Sequence, residues 1–131
     1  EIGSIIESIK RFKISAIIIS NTTDKNRENL IGIHKSETGG LSGKPLSQIS
    51  NNLIKKFYRE TKGDIIIIGV GGISSGLSAY EKLKSGANLL QLYTGMVYEG
   101  PGIVKKIKSE LIDILKKEKI KNVSEIVGTG S

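Results

Sequence analysis

Three short apolar runs, each ending in a polar or glycine-rich turn and followed by a helical pattern, predict an α/β chain with a parallel sheet. The clearest run is Ile65 to Gly76, IIIIGVGGISSG, in which isoleucines, a glycine and a valine precede an abrupt turn. So apolar a segment is the signature of a strand buried on both faces. The 131 residues make one domain at most, with 37% hydrophobic residues, no cysteine and a single histidine. Disulfides, thiolate metal sites, cysteine nucleophiles and clusters of imidazole ligands are thereby excluded. No apolar run approaches the length needed to span a bilayer. Residue 1 is Glu, and an amphipathic pattern begins at once, which suggests a piece whose beginning was removed or lies elsewhere.

Residues 2–12, IGSIIESIKRF, place Ile2, Ile5, Ile6, Ile9 and Phe12 on one helical stripe, with Glu7, Lys10 and Arg11 opposite. The run from Ile14 to Ser20, ISAIIIS, is rich in β-branched residues and reads as a buried strand. It ends in Ser20, Asn21, Thr22, Thr23 and Asp24. In parallel α/β sheets the C-terminal ends of the strands carry the site, so this cluster is a candidate contact edge. The Asn amide offers a donor and an acceptor and the Thr hydroxyl does both, which suits an amide-like or pyrimidine edge. A plain loop with Asx-turn chemistry fits the same residues. From Asp24 to Leu46 no period is visible, and a loop of that length is functional or disordered. Gly39, Gly40 and Gly43, with Pro45 stiffening the exit, argue for function. His34 has no second ligand type at metal spacing and reads as a solvated or hydrogen-bonded loop residue.

Ser47 is expected to cap a helix with Ile49, Leu53, Ile54 and Phe57 on one face and Gly63 as its stop. After the strand from Ile65 to Val70, Gly71, Gly72 and Gly76 let the backbone come close to a bulky group, and Ser74 or Ser75 caps a helix from Leu77 to Lys84. Strand, glycine turn and helix N-terminus together make an anion site, with phosphate as the expected ligand. GVGGISSG is neither the dinucleotide fingerprint in frame nor the P-loop, whose lysine it lacks, so simple turn chemistry is the other reading. ANLLQLYTG gives a third strand ending in Tyr93, Thr94 and Gly95. Pro101 and Gly102 precede a lysine-rich helix to about Glu118, and KNVSEIVGTGS is expected to be a loosely attached end. The formal charge is +7, but the lysines from Lys105 to Lys121 fall between Ile103, Val104, Ile107, Leu111, Ile114 and Leu115, as on the solvated face of a helix. No aromatic residues interleave with them to stack bases, so no nucleic-acid partner is expected.

Three parallel strands alone would leave two bare edges and an uncovered apolar face. The economical solution is a (β/α)₈ TIM barrel of which residues 1–131 form only the C-terminal half, about three βα units preceded by a helix. The loops after the last two strands of such barrels often build a phosphate site, and here those strands end in GVGGISSG and LYTG.

NTT followed by SETGGLSGKPL, then IIGVGGISSG and QLYTG, in that order and at those separations, resembles the C-terminal half of the quinone-using, membrane-associated class of dihydroorotate dehydrogenases. The resemblance covers nearly the whole chain. It implies an FMN barrel that oxidises dihydroorotate to orotate in pyrimidine biosynthesis and passes the electrons to a quinone. It assigns Ser20, Gly43, Gly72, Tyr93 and Thr94 to FMN, with backbone amides at the last two for the phosphate, and Asn21 and Thr22 to the pyrimidine. Ser20 stands where the family usually has threonine, and the hydroxyl is kept. The family's serine base, its flavin-contacting lysine and the helices forming the quinone and membrane entrance all lie upstream of the matching region. No catalytic residue is therefore expected here, and this polypeptide alone is expected to be inactive. The parent is expected on a bacterial or inner mitochondrial membrane surface. The alternatives are another phosphate- or FMN-binding TIM-barrel enzyme and a non-catalytic flavin-binding half-barrel.

Overall fold

The computed structural model describes residues 2–25, 27–28 and 30–131, so the loop reading at positions 26 and 29 lies outside the described residues. Helix α1 (Ile2–Arg11) leads into β1 (Ala16–Ile19), and a long loop then reaches α2 (Ser47–Thr61) through a 3₁₀ turn at Lys44–Leu46. Strand β2 (Ile66–Val70), α3 (Gly76–Lys84), β3 (Leu89–Gln91), α4 (Thr94–Glu99) and α5 (Ile103–Lys117) follow, with a last 3₁₀ turn at Val123–Ile126. The short α4 was not legible in the sequence. Six residues cannot display a helical period, and none of them is buried.

The strands lie in the order β1-β2-β3, all parallel. Ile18 pairs with Ile68, and Ile68 with Leu89, so side chains of like parity share a face across the sheet. Ile17, Ile19, Ile67 and Leu90 pack on the helices, in a cluster with Ile6 and Ile9 of α1 and Ile54 and Phe57 of α2. The other face is bare: Ile18, Ile66 and Leu89 are exposed, which corrects the expectation that β2 is buried on both sides. A strand in a barrel gives one face to the helices and the other to the barrel interior, and only the first is covered among the described residues. Phe12, at the end of the α1 stripe, is 67% exposed and so is not part of the core face expected for it.

Two end effects differ from the sequence expectations. Ser47 makes no capping hydrogen bond, because the 3₁₀ turn runs straight into α2 and the Ser47 amide donates to the Lys44 carbonyl. The C-terminal stretch is not loose. Ile126 is buried with Tyr80 and Leu83, the Gly128 and Gly130 amides donate to the carbonyls of Leu83 and Lys84, and Gly128 lies against the Tyr58 ring. Glycines and small polar residues hid a tail held by its backbone.

Helices α3 and α5 meet at Gly76, where a Cβ would come within 2.4 Å of Glu110 Cβ and 2.6 Å of the Leu111 nitrogen. Gly3, by contrast, sits in α1 with open space around it. Gly76→Ala should therefore lower stability by about 1–3 kcal/mol through overpacking. Gly3→Ala should raise it by roughly 0.5–1 kcal/mol through helix propensity. Denaturant unfolding of the two variants checks both signs.

Candidate functional site

Parallel pairing makes the three strands stop at one level, and the segments that follow them enclose a cavity of about 900 Å³. Its walls are the Ser20–Thr22 end of β1, the Gly40–Leu46 part of the long loop, the Val70–Ser74 turn after β2 and the Leu92–Gly95 turn after β3. All seven residues singled out from the sequence, Ser20, Asn21, Thr22, Gly43, Gly72, Tyr93 and Thr94, line this one cavity. The volume falls within the range of small-molecule and cofactor pockets.

Local contacts explain how the walls hold together. Gly40 packs against Thr22 so closely that a Cβ there would fall 1.9 Å from Thr22 Oγ1. The Thr23 and Leu41 backbones form an antiparallel bridge, which ties the loop to the end of β1. At its other side, Thr94 Oγ1 donates to Ser42 Oγ at 2.9 Å, and Gly43 faces the Thr94 methyl. Arg27 fixes the loop's outer bend by donating to the carbonyls of Glu37 and Gly39. His34 is exposed and bonded to Glu37 Oε1 at 2.5 Å, away from the cavity.

The polar groups in the cavity are of two kinds. Some are already used: Asn21 Oδ1 accepts from the Thr22 amide at 2.8 Å, which leaves the Asn21 NH₂ as a donor. Others are open. Ser20 Oγ is buried without a partner among the described residues, an expensive state for a hydroxyl unless a polar ligand group meets it. Gly71 (φ +104) and Gly72 (φ +76) turn in the left-handed region, and neither amide has an acceptor among the described residues. A side chain at Gly72 would also strike Ser47, with Cβ 2.5 Å from Ser47 Cα. Consecutive amides on such a turn form an anion-binding concavity.

The α3 N-terminus plays a smaller part than expected. Ser75 caps it in a reciprocal box with Ser78, and the Gly76 amide donates to Glu110 Oε2 at 2.6 Å. The end of α3 is thus closed by its own serines and by α5, while the cavity wall stops at Ser74. The open donors that line the cavity belong to the glycine turn.

Behind that turn lies a polar cluster that the sequence reading missed. Lys82 is fully buried, and its Nζ donates to Asn51 Oδ1 at 2.7 Å and Ser50 Oγ at 3.0 Å. Ser50 Oγ in turn donates to the Val70 carbonyl at 2.6 Å. The available signal was Gly69, the one residue without a side chain inside an isoleucine strand, where a Cβ would lie 2.9 Å from the Lys82 stem.

Burial pushes the Lys82 ammonium from its ordinary 10.5 down to about 8. Between these values the folded chain has released a proton that the unfolded chain still holds, so this group's contribution to stability rises with pH. Unfolding midpoints of wild type and Lys82→Met, compared between pH 8 and 10.5, should show wild type gaining on the variant as pH increases.

The sequence model for dihydroorotate dehydrogenase matches residues 1–115. The chain is 47% identical over 135 residues to the quinone dihydroorotate dehydrogenase of Trichodesmium erythraeum, covering 97% of this chain and 35% of that protein. It is 47% identical over 115 residues to the mitochondrial quinone enzyme of Mus musculus, covering 88% of this chain and 29% of that one. Among solved structures, the ligand-free DHODH of Eimeria tenella superposes with a TM-score of 0.94 at 37% identity, over 98% of this chain and 36% of the other. The same enzyme in complex with ferulenol gives 0.91 at 38% identity, over 95% of this chain and 33% of the other. The chain thus spans about a third of the length of the relatives it matches.

Proposed function

From the premise that this chain belongs to the dihydroorotate dehydrogenase family, we propose that it is the C-terminal part of a single FMN-binding barrel that oxidises dihydroorotate to orotate, with a quinone as electron acceptor, in pyrimidine biosynthesis. The observation that carries the reading is the gathering of Ser20, Asn21, Thr22, Gly43, Gly72, Tyr93 and Thr94 around one cavity at the strand ends. The unpartnered Ser20 hydroxyl and the left-handed glycine turn suit a ligand with both a polar ring edge and an anionic group, as FMN has.

In this reading the amides of Gly72 and of the Tyr93–Thr94 turn hold the FMN phosphate, while Ser20 and Gly43 meet the rest of the flavin. Asn21 and Thr22 hold the pyrimidine by its amide edge and orient the carbon that is to be oxidised. Bound FMN supplies the two-electron acceptor that is later reoxidised by quinone. The chain contributes binding and orientation, but not the base that removes a proton from the substrate. Glu99, at the cavity rim, is paired with Lys106 at 2.7 Å, and the pairing raises the lysine's pKa above its ordinary value. The base, the quinone entrance and the contact with the membrane surface are assigned to parts of the protein outside this chain. No helix among the described residues is long and apolar enough to cross a membrane. Peripheral association with a bacterial or inner mitochondrial membrane, through parts outside this chain, is proposed from the family alone.

Turnover of dihydroorotate with a quinone tests this directly. In the full-length protein, Asn21→Ala should raise the KM for dihydroorotate by about ten- to a hundredfold while flavin stays bound, because a substrate hydrogen bond is removed from a desolvated site. The 131-residue chain alone should not turn over. Catalysis by that short chain, or an unchanged KM in the variant, would contradict the assignment.

A further inference from the structure

Lys82 is the one fully buried charged residue among those described, and its path inward is kept clear by the chain itself. Its stem leaves α3 and crosses β2 over Gly69, where any side chain would lie against Cγ and Cδ at 2.9 Å. It ends on α2 between Asn51 Oδ1 and Ser50 Oγ, both uncharged. No carboxylate among the described residues forms an ion pair with it. A buried ammonium without a counter-charge is costly, and an apolar side chain of similar volume serves packing as well or better. Yet the strand omits a side chain at Gly69 to admit Lys82, and α2 supplies two acceptors for its ammonium. Burial brings its pKa down to about 8, which leaves the group mostly protonated at neutral pH.

Where the charge points is the informative part. Ser50 Oγ accepts from Lys82 and donates to the Val70 carbonyl at 2.6 Å, and Val70 is the residue at which β2 passes into the glycine turn. The Val70 carbonyl and the Gly71 amide belong to the same peptide group. Drawing electron density toward the carbonyl oxygen makes that amide a stronger donor, and a chain of hydrogen bonds starting from a cation strengthens each member. Gly71 lines the cavity, and its amide has no acceptor among the described residues.

We propose that Lys82 is a positioning residue for the anion held by the Gly71–Gly72 turn: acting through Ser50 and the Val70 carbonyl, it orients the turn's peptide and supplies the buried positive charge that a phosphate neutralises. The proposal rests on the reading of the cavity as the flavin phosphate site, and it assigns the affinity for that phosphate, rather than for the isoalloxazine ring, to a residue outside the cavity wall.

The test uses the full-length protein freed of flavin and titrated with FMN and with riboflavin, which lacks the phosphate, by quenching of flavin fluorescence. Wild type should bind FMN much more tightly than riboflavin. Lys82→Met should lose FMN affinity on the order of tenfold, the size expected from removing one nearby buried charge at an effective interior dielectric, with riboflavin affinity unchanged. Ser50→Ala, which keeps the charge and breaks the relay, should lose less in the same direction. The ³¹P resonance of bound FMN should also shift in Lys82→Met. An unchanged ratio of FMN to riboflavin affinity, or an equal loss for both flavins, overturns the proposal. If Lys82→Met does not fold, the ratio in Ser50→Ala decides by the same criterion. If wild type itself prefers neither flavin, the phosphate reading of the cavity falls, and this inference with it.

Discussion

Ile19 pairs with Gly69 and Val70 with Gln91, so the three parallel strands end within a residue or two of one another. Parallel pairing forces every chain reversal after a strand onto the same edge of the sheet, because the return to the next strand must pass through a helix on the covered face. Three unrelated stretches, polar after β1, glycine-rich after β2 and mixed after β3, are thereby brought to one cavity. The chain forms part of a (β/α)₈ barrel, and the barrel's geometry also explains the bare face at Ile18, Ile66 and Leu89.

Within that frame, side chains are omitted where backbones must meet. Gly40 admits Thr22, Gly72 admits Ser47, Gly76 admits Glu110 and Gly69 admits Lys82, each at distances no Cβ could tolerate. These are packing requirements first. Their consequence for function is that the loop from Gly40 to Leu46 and the Val70–Ser74 turn are clamped to α2 and to the end of β1, leaving little freedom for the donors they present. If the cavity takes the proposed ligand, its walls are positioned beforehand.

Much of this was legible in the residues. The isoleucine-rich strands, the amphipathic faces of α1, α2 and α5, and a serine cap at Ser74 or Ser75 were all within reach of local pattern, with Ser75 the one that caps, and the strand-end rule placed the candidate ligand residues on one edge. What was missed depended on contacts distant in sequence. Glu110 closes the α3 N-terminus across 34 positions, a partner no local pattern could have nominated. The tail after Lys121 carries few apolar side chains and is held largely by backbone hydrogen bonds to Leu83 and Lys84. Ser50, Asn51 and Lys82 looked like ordinary polar helix positions, because burial of a lysine beside two uncharged partners has no period of its own. Assignment of the cavity to a flavin and a pyrimidine came from the resemblance of four motifs. The structure itself supplies the unpartnered Ser20 hydroxyl and the open amides of the glycine turn.

In the proposed function these strand ends hold a flavin beside a dihydropyrimidine. Its most direct test is the visible absorption spectrum of the full-length protein under anaerobic conditions, recorded before and after addition of dihydroorotate. Flavin bands should bleach on addition and return when a quinone is admitted. A protein that carries no flavin, or whose flavin bands are indifferent to dihydroorotate, would contradict it.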